Sequence, residues 1–197
     1  MRALVVYESM YGNTHAVAVN IAAGLSAGHD VTLVPVTRAT PELTAGADLL
    51  VVGGPTHMHG MSSAASRQMA ADTARKEGSG LTLDPDADGP GVHGWLDELG
   101  RHGMPGRLGR LDMLGGGQCG LAAAFDTRLS GAPLLTGRAS RSISRLLVHH
   151  GYRLLTPSES FLVSKQNTLL DGEAARAREW GAAIGAAATE DLRPVAR

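Results

Sequence analysis

The chain has 197 residues, 43% apolar and 19% charged, with a formal net charge of -1 at neutral pH; that length supports a sizeable core, and the balanced charge argues against nucleic acid or an acidic membrane surface as partner. A lone cysteine, Cys119, excludes an internal disulfide and a cysteine-built zinc or iron–sulfur centre. No apolar run approaches the ~20 residues of a membrane span or forms a signal-peptide core, so the expectation is a cytoplasmic protein without an integral membrane segment.

Residues 3–7 are a short continuous apolar run, which predicts a strand buried on both faces. From Thr14 the pattern becomes helical, with Val17, Ala18, Ile21, Ala22 and Leu25 on one face and Gly28 as a stop. Residues 31–36 predict a second strand, and Thr40-Pro41-Glu42-Leu43 opens a short helix with Pro41 at its first position. Residues 49–52 predict a third strand, ended by Gly53-Gly54-Pro55. Ser62 or Ser63 caps a helix that runs to about Lys76. Residues 78–117 are dense in Gly, Pro and Asp, with one short helical stretch at 93–99, and read as an irregular insertion. Residues 120–125 form a fourth apolar run, and 140–150 a helix with Ile143, Leu146 and Leu147 inward. Residues 154–163 form a fifth strand interrupted at Pro157. A final helix, 171–187, faces inward through Ala174, Ala177, Trp180 and Ile184, and 189–197 is a frayed tail. Five strands alternating with helices predict an α/β fold with a parallel sheet, in which 1–197 is a single domain.

The most informative segment is Val5-Val6-Tyr7-Glu8-Ser9-Met10-Tyr11-Gly12-Asn13-Thr14. A strand ends there in a hydroxyl-rich turn, and a helix begins at once. The first N–H groups of a helix lack internal partners and its dipole is positive there, so the turn suits an anion such as a phosphate. Ser9 and Thr14 supply hydroxyls, Asn13 and Thr14 supply helix N-terminal N–H groups, and Gly12 allows close backbone approach. No Gly-Lys-Ser/Thr follows, which excludes a Walker A loop, and no Gly-x-Gly-x-x-Gly occupies this turn.

Strand, Ser-x-x-Gly-x-Thr, helix resembles the N-terminal FMN-phosphate signature of the flavodoxin family, through Val5, Val6, Tyr7, Ser9, Gly12 and Thr14, then Ala18 and Ile21. Gly53-Gly54-Pro55-Thr56-His57 is similar to the Gly-x-Pro-Thr loop after the third strand in flavodoxins and related quinone reductases. The resemblance covers nearly the whole chain outside 78–117. It implies a doubly wound five-stranded parallel sheet in the order 2-1-3-4-5, with a long insertion before strand four and FMN at the switch point between strands one and three. It also implies three cofactor-binding loops: Ser9, Met10, Tyr11, Gly12, Asn13 and Thr14; Pro55, Thr56, His57, Met58, His59 and Gly60; and, after strand four, Phe125, Asp126, Thr127 and Arg128. Tyr11 departs from the family's Ser or Thr, and the second loop offers imidazoles and thioethers where flavodoxins often carry Trp or Tyr. Arg128 either forms a surface ion pair with Asp126 or offsets negative charge on a reduced flavin.

Three functions follow. The first is an FMN-binding redox protein that transfers electrons through bound flavin, with a redox partner protein. The second is an FMN-dependent NAD(P)H:quinone-type or protoporphyrinogen-oxidase-like reductase acting on a small quinone-like substrate; the near-neutral charge, unlike that of markedly acidic flavodoxins, lends it weight. The third is a binding module that has lost its flavin. His57 or His59 is expected to couple flavin reduction to protonation near neutral pH.

Other features have two readings each. Asp84-x-Asp86-x-Asp88-Gly89 opens like an EF-hand but has Trp95 where the final acidic ligand belongs, so a solvated acidic loop is favoured over calcium. Trp95 is a lid over the flavin or an anchor for its segment. Arg138, Arg141 and Arg145 are a solvated helix face or a docking site for an acidic group. Cys119 is a buried small hydrophobe or a redox thiol.

Overall fold

The apolar runs align as the strands of one sheet in the computed structural model, which describes residues 1–101, 120–132 and 136–192. In chain order the strands are β1 (Arg2–Tyr7), β2 (Asp30–Pro35), β3 (Leu49–His57), β4 (Gly60–Met61), β5 (Gly120–Leu129), β6 (Tyr152–Leu154) and β7 (Glu159–Val163). The main path is β2-β1-β3-β5-β6, all parallel; β7 also pairs in parallel with β5, and β4 folds back antiparallel on β3. β6 and β7 are two halves of one edge strand, interrupted around Pro157, a residue that cannot donate to the ladder. The order is therefore the expected 2-1-3-4-5.

Burial of β1 on both faces follows its pleat. Ala3, Val5 and Tyr7 join one apolar cluster, Leu4 and Val6 the other. The first cluster is closed by helices α1 (Asn13–Leu25) and α6 (Glu173–Asp191), through Val17, Ala18, Ile21, Ala177 and Ile184. The second is closed by α4 (Val92–Arg101) and α5 (Ala139–His149), through Val92, Trp95, Leu96, Ile143 and Leu147. Between these come α2 (Pro41–Gly46), with Thr40 accepting from Leu43 N–H, and α3 (Ala64–Ala74), which Ser63 opens in a reciprocal capping box with Ser66.

Two strands run further than the sequence pattern indicates. β3 continues through Gly53-Gly54-Pro55 to His57, and β5 continues through Asp126, Thr127 and Arg128 to Leu129. They extend together, with Gly53 opposite Phe125, Gly54 opposite Asp126 and Pro55 opposite Thr127. A Cβ at Gly53 would stand 2.1 Å from the Phe125 ring, so the glycine makes room for it rather than ending the strand. Phe125, Phe161 and Trp180 then pack edge to face at 6.2–6.3 Å between centroids.

Trp95 is an anchor, which corrects the lid reading. It is buried in the second cluster and its Nε1–H donates to the Ala39 carbonyl at 2.8 Å. The last helix also runs beyond the predicted end, to Asp191. Cys119, most of the second half of 78–117, and 193–197 lie outside the described residues. Among the described residues, no helix is long and apolar enough to cross a membrane.

Helices α1 and α6 approach through glycines. A Cβ at Gly181 would lie 2.3 Å from the Ile21 carbonyl oxygen, and one at Gly24 would lie 2.0 Å from that of Arg178. Backbone cannot yield as a side chain can, so Gly181→Ala is expected to cost about 1–3 kcal/mol. Urea unfolding measures this; an unchanged midpoint would contradict the close contact.

Candidate functional site

Parallel strands bring their C-terminal ends to one edge of the sheet, where the Ser9–Thr14 turn, the end of β3 with its hairpin, and the end of β5 lie together. After β1, Glu8 N–H still pairs with the Gly53 carbonyl at 2.9 Å, and the chain then turns. Ser9 is buried and its Oγ accepts from Gly12 N–H at 3.1 Å. Gly12 precedes α1 in the left-handed region, with φ 89°, and a Cβ placed on it would meet nothing within 4 Å. The turn thus presents open space in front of the α1 N-terminus. Thr14 Oγ1 lies 2.7 Å from Thr127 Oγ1, both residues buried, which ties the turn to β5.

The adjoining cleft has a volume of about 210 Å³. It is lined by Met10, Tyr11, Asn13, Thr14, Pro55, Thr56, His57, Thr127, Arg128, Leu129, Val163 and Asn167. Nine of the predicted residues therefore share one cavity. Ser9 and Gly12 shape the turn behind it. Leu129, Val163 and Asn167 were not anticipated. Asn167 has φ 58° and accepts two hydrogen bonds from Asn13 Nδ2, at 3.0 Å to its carbonyl and 3.1 Å to its side chain. Its signal in the sequence is position alone, in the turn after the fifth strand and so at the same sheet edge.

Phe125 and Asp126 are placed elsewhere, which corrects the third loop. Because β5 runs on to Leu129, Phe125 is fully buried in the core. Asp126, also fully buried, caps the start of α5: its Oδ2 accepts from Ser140 N–H at 2.8 Å and from the Thr56 hydroxyl at 3.2 Å. Thr56 Oγ1 in turn accepts from Ala139 N–H at 2.9 Å. A carboxylate at a helix N-terminus is favoured by the dipole, and here it clamps the second loop to α5.

That second loop is a tight hairpin. Thr56 pairs with Met61 and His57 with Gly60, leaving Met58 and His59 at the tip with φ 46° and 77°. Both non-glycine residues hold the positive φ values of a type I′ turn. Met58 is 79% exposed and stands outside the cleft, as do His59 and Gly60. His59 bridges to Gly137, where a Cβ would come within 2.1 Å of the His59 carbonyl oxygen. His57 alone of the two imidazoles faces the cleft, and burial, then Arg67, push its pKa down. The shift favours the neutral imidazole.

Of the chain's aromatic side chains, Tyr11 alone lines the cleft. Its hydroxyl donates to the Ala70 carbonyl at 2.9 Å, fixing the ring against α3. The acidic segment is solvated at Asp88 but not at Asp84. Asp84 is buried; its N–H donates to the Met10 carbonyl at 2.8 Å, and its carboxylate lies 3.3 Å from His15 Nδ1. Asp86 accepts from the Tyr7 hydroxyl at 3.1 Å. Both brace the Ser9–Thr14 turn from behind. Among the described residues, no cluster of metal-ligating side chains exists.

These loops and this sheet agree with known proteins. A family model described as flavodoxin matches residues 5–95. An archaeal flavodoxin structure superposes with a TM-score of 0.64 at 19% identity, covering 96% of this chain and 99% of its own. Oxidised flavodoxin 1 from Bacillus cereus gives 0.59 at 16% identity, covering 98% and 100%. A flavodoxin described as WrbA-like, from Agrobacterium tumefaciens, gives 0.58 at 18% identity, covering 96% and 98%. No curated protein matches the chain. The sheet order defines a doubly wound, flavodoxin-like α/β fold, and the cleft lies at its strand switch point between β1 and β3. Residues 5–95 are thus similar to the flavodoxin family in sequence, and the whole chain is similar to flavodoxins in fold.

Behind the turn sits Glu8, buried, accepting from the Ser62 hydroxyl and from Val92 N–H at 2.8 Å. Burial pushes its pKa above the ordinary 4.5, only partly offset by those hydrogen bonds and by Arg67. The native state therefore keeps a proton that the unfolded chain releases. This stabilisation is complete below about pH 4.5 and is lost as pH rises through the folded value. Glu8→Gln keeps an acceptor for Val92 N–H and offers the Ser62 hydroxyl oxygen an amide donor in place of the carboxylate acceptor; it is expected to gain about 1 kcal/mol over the native chain as pH rises from about 4 to 8. Denaturant titrations at several pH values measure the difference; a gap that shrinks with pH contradicts the assignment.

Proposed function

We propose that this protein binds FMN in the cleft between the Ser9–Thr14 turn and the Pro55–His57 segment and transfers electrons through it. The observation that carries the reading is the open space before Gly12 at the α1 N-terminus, continuous with a cleft walled by the second loop and the end of β5. The donor set fits the group. A phosphate dianion is matched by helix N–H groups and the hydroxyls of Ser9 and Thr14, without a cation in the turn. Tyr11, Pro55 and His57 offer flat or apolar surface for a ring system.

When bound, FMN supplies reversible one- and two-electron redox chemistry. The protein's part is to hold and shield it. Gly12 leaves room for the phosphate, Thr127 holds Thr14 in place, and Asn167 holds Asn13. Asp126, through Thr56, keeps the Pro55–His57 segment at the cleft wall, and burial there favours the neutral form of His57. The near-neutral net charge favours a second reading, an FMN-dependent reductase of small quinone-like substrates supplied by NAD(P)H. A protein-docking carrier gains more from a strongly signed surface.

Gly12→Ala puts a Cβ where the phosphate would sit and adds a left-handed backbone cost without a clash in the free protein. FMN affinity is expected to fall about tenfold or more, about 1.4 kcal/mol, with a smaller loss for riboflavin, which lacks the phosphate. Fluorescence-quenching titration measures both. A native chain that takes up no FMN refutes the cofactor reading and leaves the flavin-free binding module. With FMN bound, NADPH oxidation sustained by an added quinone selects the reductase over the carrier.

A further inference from the structure

We propose that Arg128 is the counter-charge for the reduced, anionic ring of the bound flavin and holds the cofactor's redox potential up. The inference rests on the FMN reading and deepens it. Arg128 is 7% exposed and lines the cleft near the end of β5. One terminal nitrogen donates to the carbonyls of Leu129 at 3.2 Å and Gly131 at 2.9 Å, and to the Thr136 hydroxyl at 2.9 Å. All three acceptors are neutral. Its Nε is buried with no partner, and among the described residues no carboxylate lies within ion-pair distance of the guanidinium. A buried cation with no direct ion pair is costly, and a ligand that brings negative charge beside it is favoured.

The strand pleat decides which end of the ligand that is. Thr127 turns toward α1 and bonds Thr14 of the phosphate turn. Arg128, the next residue, turns to the opposite side, toward Thr136 and the segment that carries Gly137 and the second-loop hairpin. The phosphate turn already offers neutral donors of its own, so the guanidinium is left to the ring. Oxidised flavin is neutral there; two electrons and one proton make it an anion. A fixed neighbouring cation favours the anion, so the reduced form binds more tightly and the potential rises by linkage. The other charged or titratable groups around Arg128 are Asp126 on the same strand face, Arg138 ahead of α5, Glu173 at the start of α6, and His57 across the cleft. Asp126 Oδ2 is engaged by Ser140 N–H and Thr56 while its Oδ1 is buried without a partner; its charge and that of Glu173 offset the guanidinium in part, and burial pushes the His57 pKa down.

The test uses the full chain loaded with FMN, native and as Arg128→Gln and Arg128→Lys, in anaerobic potentiometric titrations with dithionite. Arg128→Gln is expected to lose about tenfold in preference for the reduced ring, a fall of about 30 mV in the two-electron midpoint. Arg128→Lys should retain most of the potential. The native midpoint should fall by one proton per two electrons, about 30 mV per pH unit, between about pH 6 and 8. Equal potentials in native and Arg128→Gln overturn the proposal. So does a loss of FMN affinity without loss of riboflavin affinity in Arg128→Gln, which would assign the guanidinium to the phosphate. A two-proton slope in the native protein also overturns it, and that measurement decides the matter even if Arg128→Gln does not fold. Failure of the native chain to bind FMN refutes the cofactor reading itself and is read separately, from the first titration.

Discussion

The pairing of β3 with β5 runs past Gly53 and Gly54 because the Phe125 ring occupies the space that a side chain at Gly53 would take. The site depends on this extension. With both strands prolonged, Thr56 comes within reach of Asp126 and Ala139, and Thr127 within reach of Thr14. Had β3 ended at Val52, the second loop would leave the sheet a turn too early to be clamped to α5. Core packing at Phe125, Phe161 and Trp180 is thus the foundation of a polar site it never touches.

Charge in the cleft is divided between two ends. The turn at Ser9–Thr14 offers hydroxyls, helix N–H groups and open space, and its surroundings are braced by carboxylates that are themselves occupied: Asp84 with His15, Asp86 with Tyr7, Glu8 with Ser62 and Val92. On the other side of β5 stands a buried guanidinium held by neutral oxygens. A neutral grip on one end and a fixed cation at the other is a different electrostatic plan from an acidic electron carrier. It suits a site in which reduction adds negative charge next to Arg128.

The scarcity of aromatic residues acquires a structural meaning. Phe125, Phe161 and Trp180 are spent on one side of the sheet, Trp95 and Tyr152 on the other, and Tyr7 at the end of β1. Tyr11 is left for the cleft, held against α3 by its hydroxyl. The hairpin tip at Met58 and His59 keeps its strained backbone and projects outward instead of closing over the cleft as an aromatic wall.

Periodicity in the sequence was enough to place nearly every strand and helix, because burial on two faces leaves an unbroken apolar run and burial on one leaves a helical stripe. The hydroxyl-rich turn after β1 and the Gly-Pro-Thr segment at the end of β3 were legible for the same reason: local backbone chemistry demands those residue types. The lengths of β3 and β5 were not legible, since glycine reads as a strand end unless the ring that fills its place is known. Asp126 as a clamp, Trp95 as an anchor and Asn167 as a partner of Asn13 are products of contact between segments far apart in the chain, and the burial of Arg128 without a direct ion pair is likewise decided by the fold. Local sequence determined the hydroxyl-rich turn and the helix that follows it; only the packing of distant strands and loops decided which side chains share the cleft beyond it.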